Sequence, residues 1–76
     1  MGKNGAVERK KVSSTHIRAV GYDPASQTLE LEFSDGSIVQ YSRVPSETHR
    51  RLISAPSIIS YFRDHIDDEY TRRRIR

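Results

Sequence analysis

The sequence predicts an α+β domain built as a three-stranded antiparallel meander followed by two helices, in the order β-β-β-α-α. Three observations carry this expectation. Leu29, Leu31 and Phe33 alternate with Thr28, Glu30, Glu32 and Ser34, the period of two that a half-buried strand requires. Asp35-Gly36 interrupts that run and a second alternating run follows through Val39 and Tyr41, as in a hairpin. Beyond Val44-Pro45 the apolar residues fall at helical spacing instead.

The elements follow in order. Residues 1–11 show no periodicity and are expected to form a flexible basic arm, with a single folded domain over residues 12–76. From Ser14 to Tyr22 the chain is rich in strand formers, but Ile17 has the opposite parity to Val20 and Tyr22. A bulge between Ile17 and Val20 would put all three on one face. Asp23-Pro24-Ala25-Ser26 is a turn by composition. For the hairpin at Asp35-Gly36, a two-residue turn would set Glu32 opposite Val39. A three-residue loop with Gly36 in the left-handed position instead pairs Phe33 with Ser37, Leu31 with Val39 and Leu29 with Tyr41, which keeps the apolar pairs together.

Pro45 suits the opening of a first helix, where its missing N–H has no partner to lose, and Thr48, Leu52 and Ala55 form that helix's inner face. Pro56 interrupts, and Ser57 caps a second helix whose stripe is Ile58 or Ile59, Phe62, Ile66 and Tyr70. On its outer face Asp68 with Arg72 and Glu69 with Arg73 stand as i,i+4 pairs, each worth about 0.2–0.5 kcal/mol. The expected core is Leu29, Leu31, Phe33, Val39, Tyr41, Leu52, Phe62 and Ile66.

Composition narrows the functional classes. A chain of 76 residues holds one domain and buries roughly 60% of its unfolded surface, so a large enclosed substrate cavity is not expected. With no cysteine the chain has neither a disulfide framework nor a thiolate metal site, and it has no long apolar run or signal-like start. A cytoplasmic protein that does not span a membrane is the expectation. The net charge of +3 is unevenly spread: residues 12–71 carry five arginines against nine acids, a balance of −4, while residues 1–11 balance at +3 and residues 72–76 at +4. Basic ends on an acidic body attract phosphate backbones by counterion release, or serve as solvated tails and helix-dipole complements.

Motifs for catalysis and cofactors are missing: there is no phosphate-binding glycine loop, no zinc histidine pair and no nucleophile elbow. His16, His49 and His65 lie on three different elements, so no catalytic residue, metal ligand or cofactor is assigned. Ser13, Ser14 and Thr15 beside His16 lack an orienting acid. Tyr22, Tyr41 and Tyr61 raise base stacking as an option, although Tyr41 shares the apolar parity of Val39 and reads equally as core. Arg43, Arg50 and Arg51 would lie close together if the third strand runs directly into the first helix.

From Val12 to Tyr70 the order of residues resembles the KTSC domain. The match rests on Val12-Ser13-Ser14 with Ile17, Val20-Gly21-Tyr22-Asp23, Leu29-x-Leu31-x-Phe33, Gly36, Tyr41, Val44-Pro45, Leu52, Ala55, Ser57, Tyr61-Phe62 and Ile66. Departures from the family pattern are Val39 in place of the first tyrosine of a Tyr-x-Tyr, Ile59 in place of a glycine, and Arg63 and Asp67 in place of an asparagine and a basic residue. The resemblance implies a short domain found alone in bacterial proteins and at the C-terminal end of some lysyl-tRNA synthetases, with no established activity.

These readings lead to a non-enzymatic accessory module that binds RNA or another nucleic acid weakly. Its phosphate-binding candidates are Arg43, Arg50, Arg51, Arg72, Arg73, Arg74 and Arg76, with Tyr41 as the aromatic candidate. The alternative is a module for a protein partner or for itself as a homodimer, docking through an exposed sheet edge or through the face of Glu30, Glu32 and an outward Ile38.

Overall fold

A computed structural model describes residues 9–12 and 14–76 of the chain. It contains β1 (Arg9–Lys11), β2 (Ile17–Asp23), β3 (Thr28–Phe33), β4 (Ile38–Tyr41), α1 (Ser46–Ser54), α2 (Ile58–His65) and β5 (Arg72–Arg74). The α+β class holds, but the three-stranded β-β-β-α-α topology does not. The sheet has five antiparallel strands in the order β1-β2-β3-β4-β5, with both helices inserted between β4 and β5. The two strands that the sequence reading missed are the sheet's edges.

The central hairpin follows local sequence. Leu29 pairs with Tyr41 and Leu31 with Val39, and Phe33 N–H donates to the Ser37 carbonyl at 2.8 Å. Gly36 takes φ of +94°, a left-handed conformation that a side chain would penalise. The expected irregularity in β2 is present as a register shift between Ile17 and Ala19. It turns Ile17 onto the face of Val20, and both are buried.

The C-terminal segment is where sequence and structure part. α2 stops at His65 instead of continuing through Tyr70, so Asp68–Arg72 and Glu69–Arg73 are not helical pairs. The charge order explains the stop. Arg63 and His65 in the last turn suit the negative helix end, whereas Asp67, Asp68 and Glu69 immediately beyond would oppose it. Ile66 leaves helical geometry at φ −124° while its N–H still bonds the Phe62 carbonyl. The chain then closes the bare edge of β4: Ser42 N–H donates to Thr71 O at 2.9 Å, Ile38 N–H to Arg76 O at 2.8 Å, and Ile75 N–H to Ile38 O at 2.8 Å. Satisfying these groups outweighs a further turn of helix.

At the other edge Arg9, Lys10 and Lys11 pair with Gly21, Val20 and Ala19. The ordered body therefore begins at least as early as Arg9; residues 1–8 of the expected arm lie outside the described residues.

Both helices pack on one face of the sheet. The core there comprises Ile17, Val20, Leu29, Leu31, Tyr41, Val44, Leu52, Ile58, Phe62 and Ile66. Phe33 and Val39, expected at its centre, are half-buried against it. Pro45 occupies the N-cap of α1, and Ser57 caps α2, its hydroxyl accepting from Ser60 N–H at 3.3 Å.

The opposite sheet face carries charge that is used within the fold. Glu30 is only 2% exposed. It accepts from the Arg9 guanidinium on one oxygen and from Gln40 Nε2 at 2.8 Å on the other. Glu32 lies 3.4 Å from Arg9 Nε and 3.3 Å from Arg18 Nη1. A buried carboxylate without such partners would be strongly destabilising, so β1 acts as a charged clasp on the sheet. Ile38, expected to face outward, is 3% exposed instead. The C-terminal backbone bonded along it turns the expected open edge into a sheet interior.

Candidate nucleic-acid interface

β5 places three consecutive arginines on an edge strand, and all three are exposed. Register divides them. Arg72 and Arg74 sit opposite Tyr41 and Val39, on the helix side, while Arg73 sits opposite Gln40 on the other face. Strand geometry spaces Arg72 and Arg74 about 6.6 Å apart along one side. They border a shallow concavity of about 450 Å³ whose floor is Phe33, Val39, Tyr41 and Phe62. Arg72 Nη1 donates to Asp67 Oδ1 at 2.9 Å, so one arginine is partly neutralised. Asp67 is the position at which the sequence departs from the basic residue of the resembled pattern. Arg74 Nε donates to the Arg76 carbonyl at 3.2 Å. Neither Arg73 nor Arg74 forms an ion pair with an acid among the described residues.

The remaining candidates lie on other elements. Arg43 follows β4 in a left-handed conformation, φ +61°. Arg50 and Arg51 are exposed on α1, with Arg51 Nη2 donating to Glu47 Oε2 at 2.7 Å. Arg50 and Arg51 share a surface depression with Glu47 and Ser54 that includes no residue of β5. Tyr41 is 1% exposed, and its ring meets Phe62 edge-on at 5.6 Å. Burial raises its phenol pKa, and the hydrogen bond from Arg72 pulls against that shift. A base cannot stack on this ring, whose role is in the core.

A larger concavity, about 740 Å³, lies at the opposite edge, between β1–β2 and the corner joining the helices. Tyr22 and His49 form its wall, their rings stacked at 4.7 Å and 8°. Tyr22 is held by its hydroxyl, which donates to the Val44 carbonyl at 2.5 Å. Burial, with a lesser contribution from Asp23, raises the Tyr22 pKa. Burial also lowers the His49 pKa below its ordinary 6.5. Sequence reasoning passed over this place, because Lys10 lay in the expected arm and nothing local joins Tyr22 to His49 across 27 positions.

The His49 shift has a testable sign. A histidine whose folded pKa is depressed takes up its proton first in the unfolded chain, so stability falls as pH drops below about 6.5 and levels off below the folded pKa. Urea unfolding at about pH 7.5 and about pH 5.5 should show a smaller loss in His49→Phe, which keeps a flat ring on Tyr22 and removes the titration. An equal loss in both proteins would mean that His49 is as well solvated folded as unfolded.

Among the described residues no group of three or more histidine, aspartate or glutamate side chains could hold a metal ion, and no helix is long and apolar enough to cross a membrane. The fold and the β5 edge together define a small, sheet-dominated α+β module with a basic rim. The chain belongs to the KTSC domain family, whose model matches residues 13–70. The crystal structure of a KTSC domain protein from Yersinia pestis superposes with a TM-score of 0.87 at 36% identity, covering 93% of this chain and 100% of that one. An uncharacterized protein of Stutzerimonas stutzeri is 35% identical over 66 residues, 87% of this chain and 93% of its own length. A lysine–tRNA ligase of Nostoc is 40% identical over 60 residues, 79% of this chain but 11% of the ligase.

Proposed function

We propose that this domain is a non-enzymatic accessory module that holds nucleic acid weakly, RNA in the first instance, by phosphate contacts along the β5 rim. The observation that carries the reading is the run of exposed arginines on an edge strand, with Arg73 and Arg74 unpaired with acids among the described residues. An edge lined by arginine disfavours strand addition by another chain and favours a polyanion. The match to part of a lysine–tRNA ligase, an enzyme whose substrate is tRNA, supports the same setting. Arg43, Arg50 and Arg51 stand apart from the rim and belong to an outer, weaker field.

The protein-docking alternative loses two of its motives. Glu30 and Glu32 are engaged by Arg9, Arg18 and Gln40, and Ile38 is covered.

An NMR titration of the labelled chain with a short RNA stem-loop tests the proposal. Amide shifts concentrated in residues 71–76 and in the neighbouring β4 are expected. Shifts confined to β1 and α1, or none at low salt, would reject the rim.

A further inference from the structure

The groove walled by Tyr22 and His49 has features that neither the core nor the β5 rim explains. Residues 12–71 of the body are net acidic. Yet Lys10 and Lys11 both line this groove, and no carboxylate does among the described residues. Ile53, one of two large hydrophobic residues left exposed among the described residues, at 44%, points its surface into the same space. Pro56 and Val12 extend the apolar wall. The Tyr22–His49 pair is already fixed by stacking and by the hydroxyl bond to Val44, so a ligand laid against it pays little for ordering the wall. A volume of about 740 Å³ falls in the range of small-molecule sites, which combine apolar walls with a few placed polar groups.

We propose that this groove is a binding site for a small amphiphilic anion, a carboxylate or phosphate monoester on an apolar body, with Lys10 at the head and Ile53, Pro56 and the Tyr22–His49 stack along the body. Lys10 pairs with Val20, whose side chain is in the core beneath the helices, and this register directs the lysine to the groove side of β1. An ammonium on a flexible apolar stem can follow the wall and still meet an anion at the mouth. The site is independent of nucleic-acid binding, since β1 and β5 are opposite edges of the sheet.

The test is an NMR titration of the full chain with 4-phenylbutyrate, with its uncharged isostere 4-phenylbutanamide, and with acetate. The acid should shift the amides of Val20, Tyr22, His49 and Ile53 and bind roughly two- to fivefold tighter than the amide, the range for one exposed ion pair. Acetate should leave these amides in place. Lys10→Gln should abolish the preference for the acid while leaving the amide's affinity alone, and Ile53→Ser should weaken both. Both residues are exposed, and unchanged β3 and β4 resonances would establish that each variant is folded. Equal binding of acid and amide, shifts outside the groove, or an intact preference in Lys10→Gln would overturn the proposal. So would binding to phosphatidylglycerol vesicles without any response to phenylbutyrate, which would assign the groove to a lipid surface.

Discussion

Replacing Leu52 with alanine should lower unfolding stability by about 2–5 kcal/mol, the cost of emptying a fully enclosed leucine site. Leu52 is 0% exposed and is the only fully enclosed side chain that α1 contributes to the core. A domain of this size has about 4–11 kcal/mol to lose, so the variant should unfold at a much lower urea concentration, or fail to fold at 37 °C. Its neighbour supplies the control. Ile53→Ala, on the same helix but 44% exposed, should cost under about 0.5 kcal/mol. If the two substitutions proved equal, α1 would not be anchored as described. The pair is informative because both remove apolar atoms from one helix at adjacent positions, leaving burial as the difference.

The second large effect concerns the clasp at the first edge. Arg9→Ala should destabilise by about 1–3 kcal/mol, less than the full cost of orphaning a buried charge because Gln40 remains on Glu30 and Arg9 is itself partly solvated. The side chains of Arg9 and Glu30 are 28% and 3% exposed. Glu30→Gln should be milder, since the amide oxygen still accepts from Arg9 and no buried charge is left without a partner. The double variant should then be less destabilised than the two single costs added together, a coupling that urea unfolding of the four proteins measures directly. Additive effects would show that β1 rests on the sheet without the ion pair holding it.

The legible parts of this fold were those encoded within a few residues. The hairpin register followed from which loop length keeps Glu32 away from Val39, the β2 bulge from the parity clash of Ile17 with Val20, and the α2 cap from Ser57 after Pro56. The missed parts depend on partners distant in sequence. Arg9-Lys10-Lys11 and Arg72-Arg73-Arg74 have little preference for a strand, and they become strands because β2 and β4 offer open edges. The length of α2 depends on the same kind of distant contact: stripe and charge pairing favour helix through Tyr70, while the bare edge of β4 takes up the arginines as a strand.

The site was legible to a similar depth. Composition nominated the terminal arginines, but only the strand assignment splits Arg73 from Arg72 and Arg74, and only packing removes Tyr41 from the surface. The groove of Tyr22 and His49 joins a strand to a helix, and no short-range pattern announces such a contact.

The β5 rim is tested most directly by the salt dependence of RNA binding, followed by fluorescence anisotropy for the native chain and for an Arg73→Gln, Arg74→Gln, Arg76→Gln variant. These three side chains are exposed, so the fold should survive their loss. Each phosphate contact contributes roughly −0.7 to the slope of log K against log salt for single strands and −0.9 for duplex. The native affinity should fall steeply with salt and the variant's slope should be shallower by about 2. A native affinity indifferent to salt, or a variant with an unchanged slope, would contradict phosphate binding at this edge.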